Sequence, residues 1–130
     1  MNELSDQEFD ALITRAMDEL PQEYITGMHN VAIVMADEPD EDQRHTLKLR
    51  GDQLLLGLFE GVPRTLQTGS ESGLLPSKIT LFKNQILAVA PSEGALFEQI
   101  KRTLWHEIAH YYGLSHNDMD VRQAQNRLGL

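Results

Sequence analysis

Ser92-Glu93-Gly94-Ala95-Leu96-Phe97-Glu98-Gln99-Ile100-Lys101-Arg102-Thr103-Leu104-Trp105-His106-Glu107-Ile108-Ala109-His110-Tyr111-Tyr112-Gly113 is the stretch on which the reading of this chain turns. Ser92 follows Pro91 and is placed to cap a helix, since its hydroxyl can accept from an amide of the first turn that has no partner within the helix. Leu96, Phe97, Ile100, Leu104, Ile108 and Tyr111 recur at helical spacing and fall on one side of the helical wheel. Gln99, Thr103, His106 and His110 fall on a neighbouring face. The spacing predicts a long helix running to about Tyr112, its apolar side packed on a sheet and its histidines looking into a cleft. Histidines of a core stripe would lie within it. These lie beside it.

The histidines belong to a longer pattern, His106-Glu107-Ile108-Ala109-His110-Tyr111-Tyr112-Gly113-Leu114-Ser115-His116. Residues four apart on a helix share a face, so His106 and His110 can grip one metal ion through their imidazole nitrogens. Glu107 lies about 100° round the helix from His106, close enough to reach a metal-bound water from the side. Gly113, one turn after His110, can adopt the positive φ that stops a helix and reverses the chain. That reversal can return His116 as a third ligand. Three protein ligands leave the fourth position to water, which separates a catalytic zinc from a structural one. A lone His-Glu-x-x-His arises by chance on polar helix faces, but five specified positions over eleven residues on an independently helical segment are far more specific. The motif therefore assigns His106, His110 and His116 as metal ligands, Glu107 as the catalytic group and Zn2+ as the cofactor.

Outward from this helix, Ser5-Asp6-Gln7-Glu8 forms a capping box that opens a first helix. Phe9, Leu12, Ile13, Ala16, Met17 and Leu20 give it one apolar stripe, closed by Pro21. Val31 to Ala36 reads as a buried strand, and Leu54 to Phe59, broken by Gly57, as a second that Gly61-Val62-Pro63 ends. Ile79 to Phe82, continuing through Ile86-Leu87, suggests a third strand or a hairpin turning near Asn84. Asp37 to Asp42 reads as a solvated acidic loop, Thr68 to Gly73 as a flexible loop, and Asn117 to Gly129 as a short polar helix. Together these elements predict one α+β domain over residues 1–130, with a small mixed sheet packed against helices.

Composition narrows the function classes. With 41% hydrophobic and 24% charged residues the chain reads as a globular domain, and it has no apolar run of membrane-spanning length. The net charge of −9 and scattered basic residues argue against a nucleic-acid surface. Zero cysteines rule out disulfides and thiolate ligands, and the acidic N-terminus lacks the marks of a secretory signal, so a cytoplasmic location is expected.

These residues resemble the zincins, the metallopeptidase superfamily defined by His-Glu-x-x-His on an active-site helix. The extension through Gly113 and His116 is similar to the metzincin branch. The order of elements and the small size are closer to the minimal zincin-like proteins of bacteria, in many of which an Asp stands where His116 stands here. The resemblance runs from the first helix through Val31-Ala32-Ile33-Val34, Leu56 to Pro63 and Ile79 to Phe82 to the motif. It implies a zinc peptidase acting on a peptide or protein substrate that lies along the sheet edge. Glu107 would be the general base, with Tyr111 or Tyr112 as candidate oxyanion donors and His29, His45 or Asp118 as candidates to orient the ligands. Two features depart from the full-sized enzymes. Met119 is too near the motif to form their methionine turn and reads as a packing residue, and the subdomain that walls their cleft is missing. The cleft is then open, completed by a partner protein, or of weak activity. Two alternatives follow: a non-catalytic zinc-binding module, and a three-histidine metal-dependent endoribonuclease like the small bacterial enzymes that process ribosomal RNA. Glu107 and the acidic balance favour peptide over RNA.

Overall fold

Ser5 starts the first helix as its sequence dictates. Its hydroxyl accepts from the Glu8 amide at 3.0 Å, and the Glu8 carboxylate accepts from the Ser5 amide at 3.2 Å. Helix α1 (Asp6–Glu19) then buries Phe9, Ile13 and Ala16 along one stripe, continued by Leu20 just past its end. The computed structural model describes residues 4–61 and 76–114. Within them follow α2 (Gln22–Thr26), β1 (Val31–Ala36), α3 (Glu41–Thr46), β2 (Gly57–Glu60), β3 (Ser77–Phe82), α4 (Lys83–Val89) and α5 (Glu93–Tyr112).

The three strands form one mixed sheet in the order β1-β3-β2, with β1 parallel and β2 antiparallel to β3. Alternation along β3 sends Ile79 and Leu81 into the core, where they meet Phe9, Ile86, Ile100, Leu104 and Ile108. Helix α5 packs on β2 and β3 and against α1. The Ser92 hydroxyl caps it, accepting from the Ala95 amide at 3.2 Å. Leu96, Phe97, Ile100, Leu104, Ile108 and Tyr111 are all buried, as the helical spacing requires. This is the α+β arrangement expected, a small mixed sheet against helices with one long helix carrying the motif.

Several local expectations are corrected. The second strand spans Gly57–Glu60 rather than starting at Leu54, which is 46% exposed and outside the ladder. Beyond Phe82 the chain forms α4 instead of continuing as a strand or hairpin. An extended run would leave Ile86 and Ala90 on a strand with no partner; a helix places these i, i+4 residues together in the core. The acidic segment ends in α3, because Asp40 and Gln43 form a second capping box. Trp105 is fully buried, edge-on to Tyr24 of α2 at 5.4 Å between centroids, so α5 is covered on a second flank as well. The loop expected over Thr68 to Gly73 and the helix expected over Asn117 to Gly129 lie outside the described residues. Among the described residues no helix is long and apolar enough to cross a membrane.

Leu104 is 0% exposed at the centre of the contact between α5 and the sheet. Leu104→Asp should cost about 4 kcal/mol or more, a large share of the stability of a domain this size. Circular dichroism should show an unfolded or aggregated variant, whereas Gln99→Ala, on the half-buried flank, should melt close to the parent. A soluble, cooperatively folding Leu104→Asp protein would contradict this packing.

Candidate metal centre

The last two turns of α5 set the site. His106 is half-buried, Glu107 buried and His110 exposed, in the order their helical angles impose. One ligand atom from each of the three lies within 4.8 Å of the others, close enough to meet around one ion. The imidazole rings of His106 and His110 sit 4.5 Å apart and steeply inclined. His110 Nδ1 is 3.2 Å from Glu107 Oε1, a contact that orients the ring. Two imidazole nitrogens beside a carboxylate suit a borderline divalent cation, so the donor chemistry fits the expected group.

Gly113 ends the helix as expected, at φ 72° and ψ 29°. Its amide reaches His110 O at 3.1 Å, and Leu114 N reaches Ala109 O at 3.0 Å, the paired bonds of a Schellman turn. The chain thus reverses directly beyond His110. His116, Asp118 and Met119 lie outside the described residues. His29 and His45 are exposed and stand outside the histidine-glutamate cluster.

Glu107 is the unusual member, its side chain 7% exposed. Burial raises its pKa above the ordinary value, against the opposing pull of His106 and of a hydrogen bond from the Phe59 backbone amide. The ladder explains why that amide is free to donate. Phe82 N bonds Leu56 O at 2.9 Å, marking their pair as a hydrogen-bonded one. Antiparallel pairs alternate, so Gly57↔Leu81 and Phe59↔Ile79 are non-bonded pairs whose β2 amides and carbonyls point away from β3. The Phe59 N–H therefore points out from the edge of the sheet, on the side where it lowers the proton affinity of Glu107.

The two tyrosines beside the motif are committed elsewhere. The Tyr112 hydroxyl donates to Tyr24 O at 2.7 Å, and Tyr111, fully buried, accepts from the His29 amide at 3.2 Å. Both serve to fasten α2 and the turn before β1 to α5. The contribution of Phe59 was invisible to side-chain reasoning because it comes from the backbone. Gly57 was the legible hint, since glycine within a strand often marks close approach of another element.

The sequence pattern of the zincin-like metallopeptidase family matches residues 28–125. The chain belongs to that family. Its match covers the sheet, α5 and the whole motif. No curated protein matches the chain. A solved structure, a conserved hypothetical protein from Thermo thermophilus, shares the fold at a TM-score of 0.56 and 20% identity, over 84% of this chain and 94% of that one.

Burial of Glu107 gives the metal-free protein a signed pH dependence. A carboxyl whose folded pKa is raised holds its proton longer in the folded state than in the unfolded one. Its contribution is intact below the ordinary value of 4.5 and is lost as pH rises through the folded pKa. Metal-free Glu107→Gln should therefore melt above the parent at pH 7, with the gap closing as pH falls toward 4.5. A gap that widens on acidification would contradict the burial of this group.

Proposed function

We propose that this protein is a zinc-dependent peptidase, with His106, His110 and His116 as the metal ligands and Glu107 as the general base. The observation that carries the reading is the placement of Glu107: a buried carboxylate between the two motif histidines and the outer edge of β2. A structural carboxylate on a helix surface would be solvated. This one is desolvated beside the place where a metal and a water would meet, with its proton affinity raised toward the range a base needs.

Zinc, when bound, supplies the Lewis acidity that activates water and polarises the scissile carbonyl. The chain's own residues do the rest. The His110 contact and the Phe59 amide hold the Glu107 carboxylate in one orientation. Glu107 accepts the proton of the attacking water and delivers it to the leaving amine nitrogen, so base and acid are one group used twice. The outward-pointing carbonyl of half-buried Phe59 offers an extended peptide backbone a hydrogen bond at the edge of β2. A substrate laid there would run past Glu107, because Phe59 is the residue that binds it.

A peptide-library cleavage assay on the zinc-loaded protein tests this directly. Glu107→Gln keeps the shape and the ligands but cannot take the proton, so zinc should stay bound while turnover falls by about 100-fold or more. Cleavage lost on both chelation and Glu107→Gln is the expected result. Zinc binding without cleavage of any peptide would make the protein a binding module, and cleavage of RNA alone would make it a ribonuclease.

A further inference from the structure

Gly57 has no conformational reason to be glycine. Among the described residues only Gly61 and Gly113 are glycines with positive φ, so the backbone at 57 is one any residue can adopt. Clearance is what distinguishes it. A Cβ built on Gly57 would come 2.7 Å from Thr103 Cγ2, 3.2 Å from Glu107 Cγ and 3.3 Å from Leu81 Cδ2. At Gly51 and Gly94 the same atom would meet nothing within 4 Å. Gly57 is itself buried, with α5 pressed onto the bare strand at this point.

Two residues further along the same edge, the outward-pointing Phe59 amide interacts with the Glu107 carboxylate and lowers its proton affinity. The strand thus meets the Glu107 side chain twice, at its γ carbon through the missing side chain of Gly57 and at its oxygens through the Phe59 N–H. On the helix side the carboxylate is tied to His110. We infer that Gly57 is a positioning residue: by letting β2 lie directly on α5, it fixes the separation at which the Phe59 amide aims Glu107. This rests on the peptidase reading for its catalytic consequence, but the geometric coupling stands apart from it.

A methyl group at 57 requires Thr103 to shift and the γ carbon of Glu107 to give by a few tenths of an ångström, which moves the carboxylate relative to the Phe59 amide. The Thr103 contact is tighter, and it belongs to packing alone. Thr103→Ser removes that methyl and retains the hydroxyl that accepts from Gln99 at 3.0 Å. Gly57→Ala/Thr103→Ser therefore relieves the worst overlap while leaving the one with Glu107.

The test compares the parent, Gly57→Ala, Gly57→Ala/Thr103→Ser and Glu107→Ala. In the metal-free proteins, hydrogen exchange at the Phe59 amide reads the coupling directly, because this outward N–H has no β3 partner to protect it. Exchange should be slow in the parent, fast in Glu107→Ala, and fast in both Gly57 variants even where the double variant recovers the parent's melting temperature. With zinc loaded, kcat should fall about tenfold in both Gly57 variants while KM and zinc content hold, as a small misplacement of a base predicts. Slow Phe59 exchange in either Gly57 variant, or recovery of both exchange and kcat in the double variant, overturns the inference. If the parent cleaves no peptide yet the exchange pattern is as expected, the peptidase reading fails and the positioning role stands.

Discussion

The contact between α5 and the β2–β3 half of the sheet is the constraint on which the rest of this protein depends. Leu96, Ile100, Leu104, Ile108 and Tyr111 are all at most 1% exposed, and they occupy one side of a 20-residue helix. Each large apolar side chain so buried contributes about 1.5–3 kcal/mol before the entropy of ordering it is subtracted. Once that face is fixed, the helical angle leaves no freedom in where the motif points. His106 and His110 emerge on the neighbouring face, and Glu107 is carried to the boundary between helix and strand. The candidate metal centre is in this sense a by-product of core packing, displaced round the helix by a fraction of a turn.

That placement sets stability against chemistry. A carboxylate held where water is scarce destabilises the ionised folded protein, and the hydrogen bond from Phe59 and the charge of His106 offset only part of the cost. Moving Glu107 into solvent would relieve the strain and discard the raised proton affinity. Gly57 belongs to the same trade. A side chain there would add apolar area between α5 and β2, but it would occupy the space that Glu107 and Thr103 need.

The elements legible in the sequence were those specified locally. The capping box at Ser5, the β-branched run of β1, and the stripe and caps of α5 each have a short-range signature, although β1 is half-buried with Val34 exposed and not the buried strand expected. The misread elements were decided at a distance. Leu54 to Phe59 is apolar throughout most of its length, so only its register on β3 fixes where the ladder begins. Ile86 belongs to a helix because the core sits on the side a helix presents to it. The cap at Asp40 carries the same signal as that at Ser5, but no apolar stripe follows to give it weight. Trp105 was hidden because α2, five residues long and without a buried residue of its own, supplies the second surface that covers it. Within the site, the imidazoles and the carboxylate were visible as residue types at fixed spacing. The Phe59 amide carries no side-chain signature, and the tyrosine hydroxyls bond partners distant in sequence.

Everything proposed for this protein turns on a metal centre on α5 built from the motif histidines. X-ray absorption at the zinc edge, on protein reconstituted with zinc and dialysed, reads it most directly. About one zinc per chain with three imidazole ligands is expected, one of which is lost in each of the His106→Ala, His110→Ala and His116→Ala variants. Protein that carries no zinc after reconstitution, or a zinc whose ligands are unchanged when His106 and His110 are replaced, would contradict it.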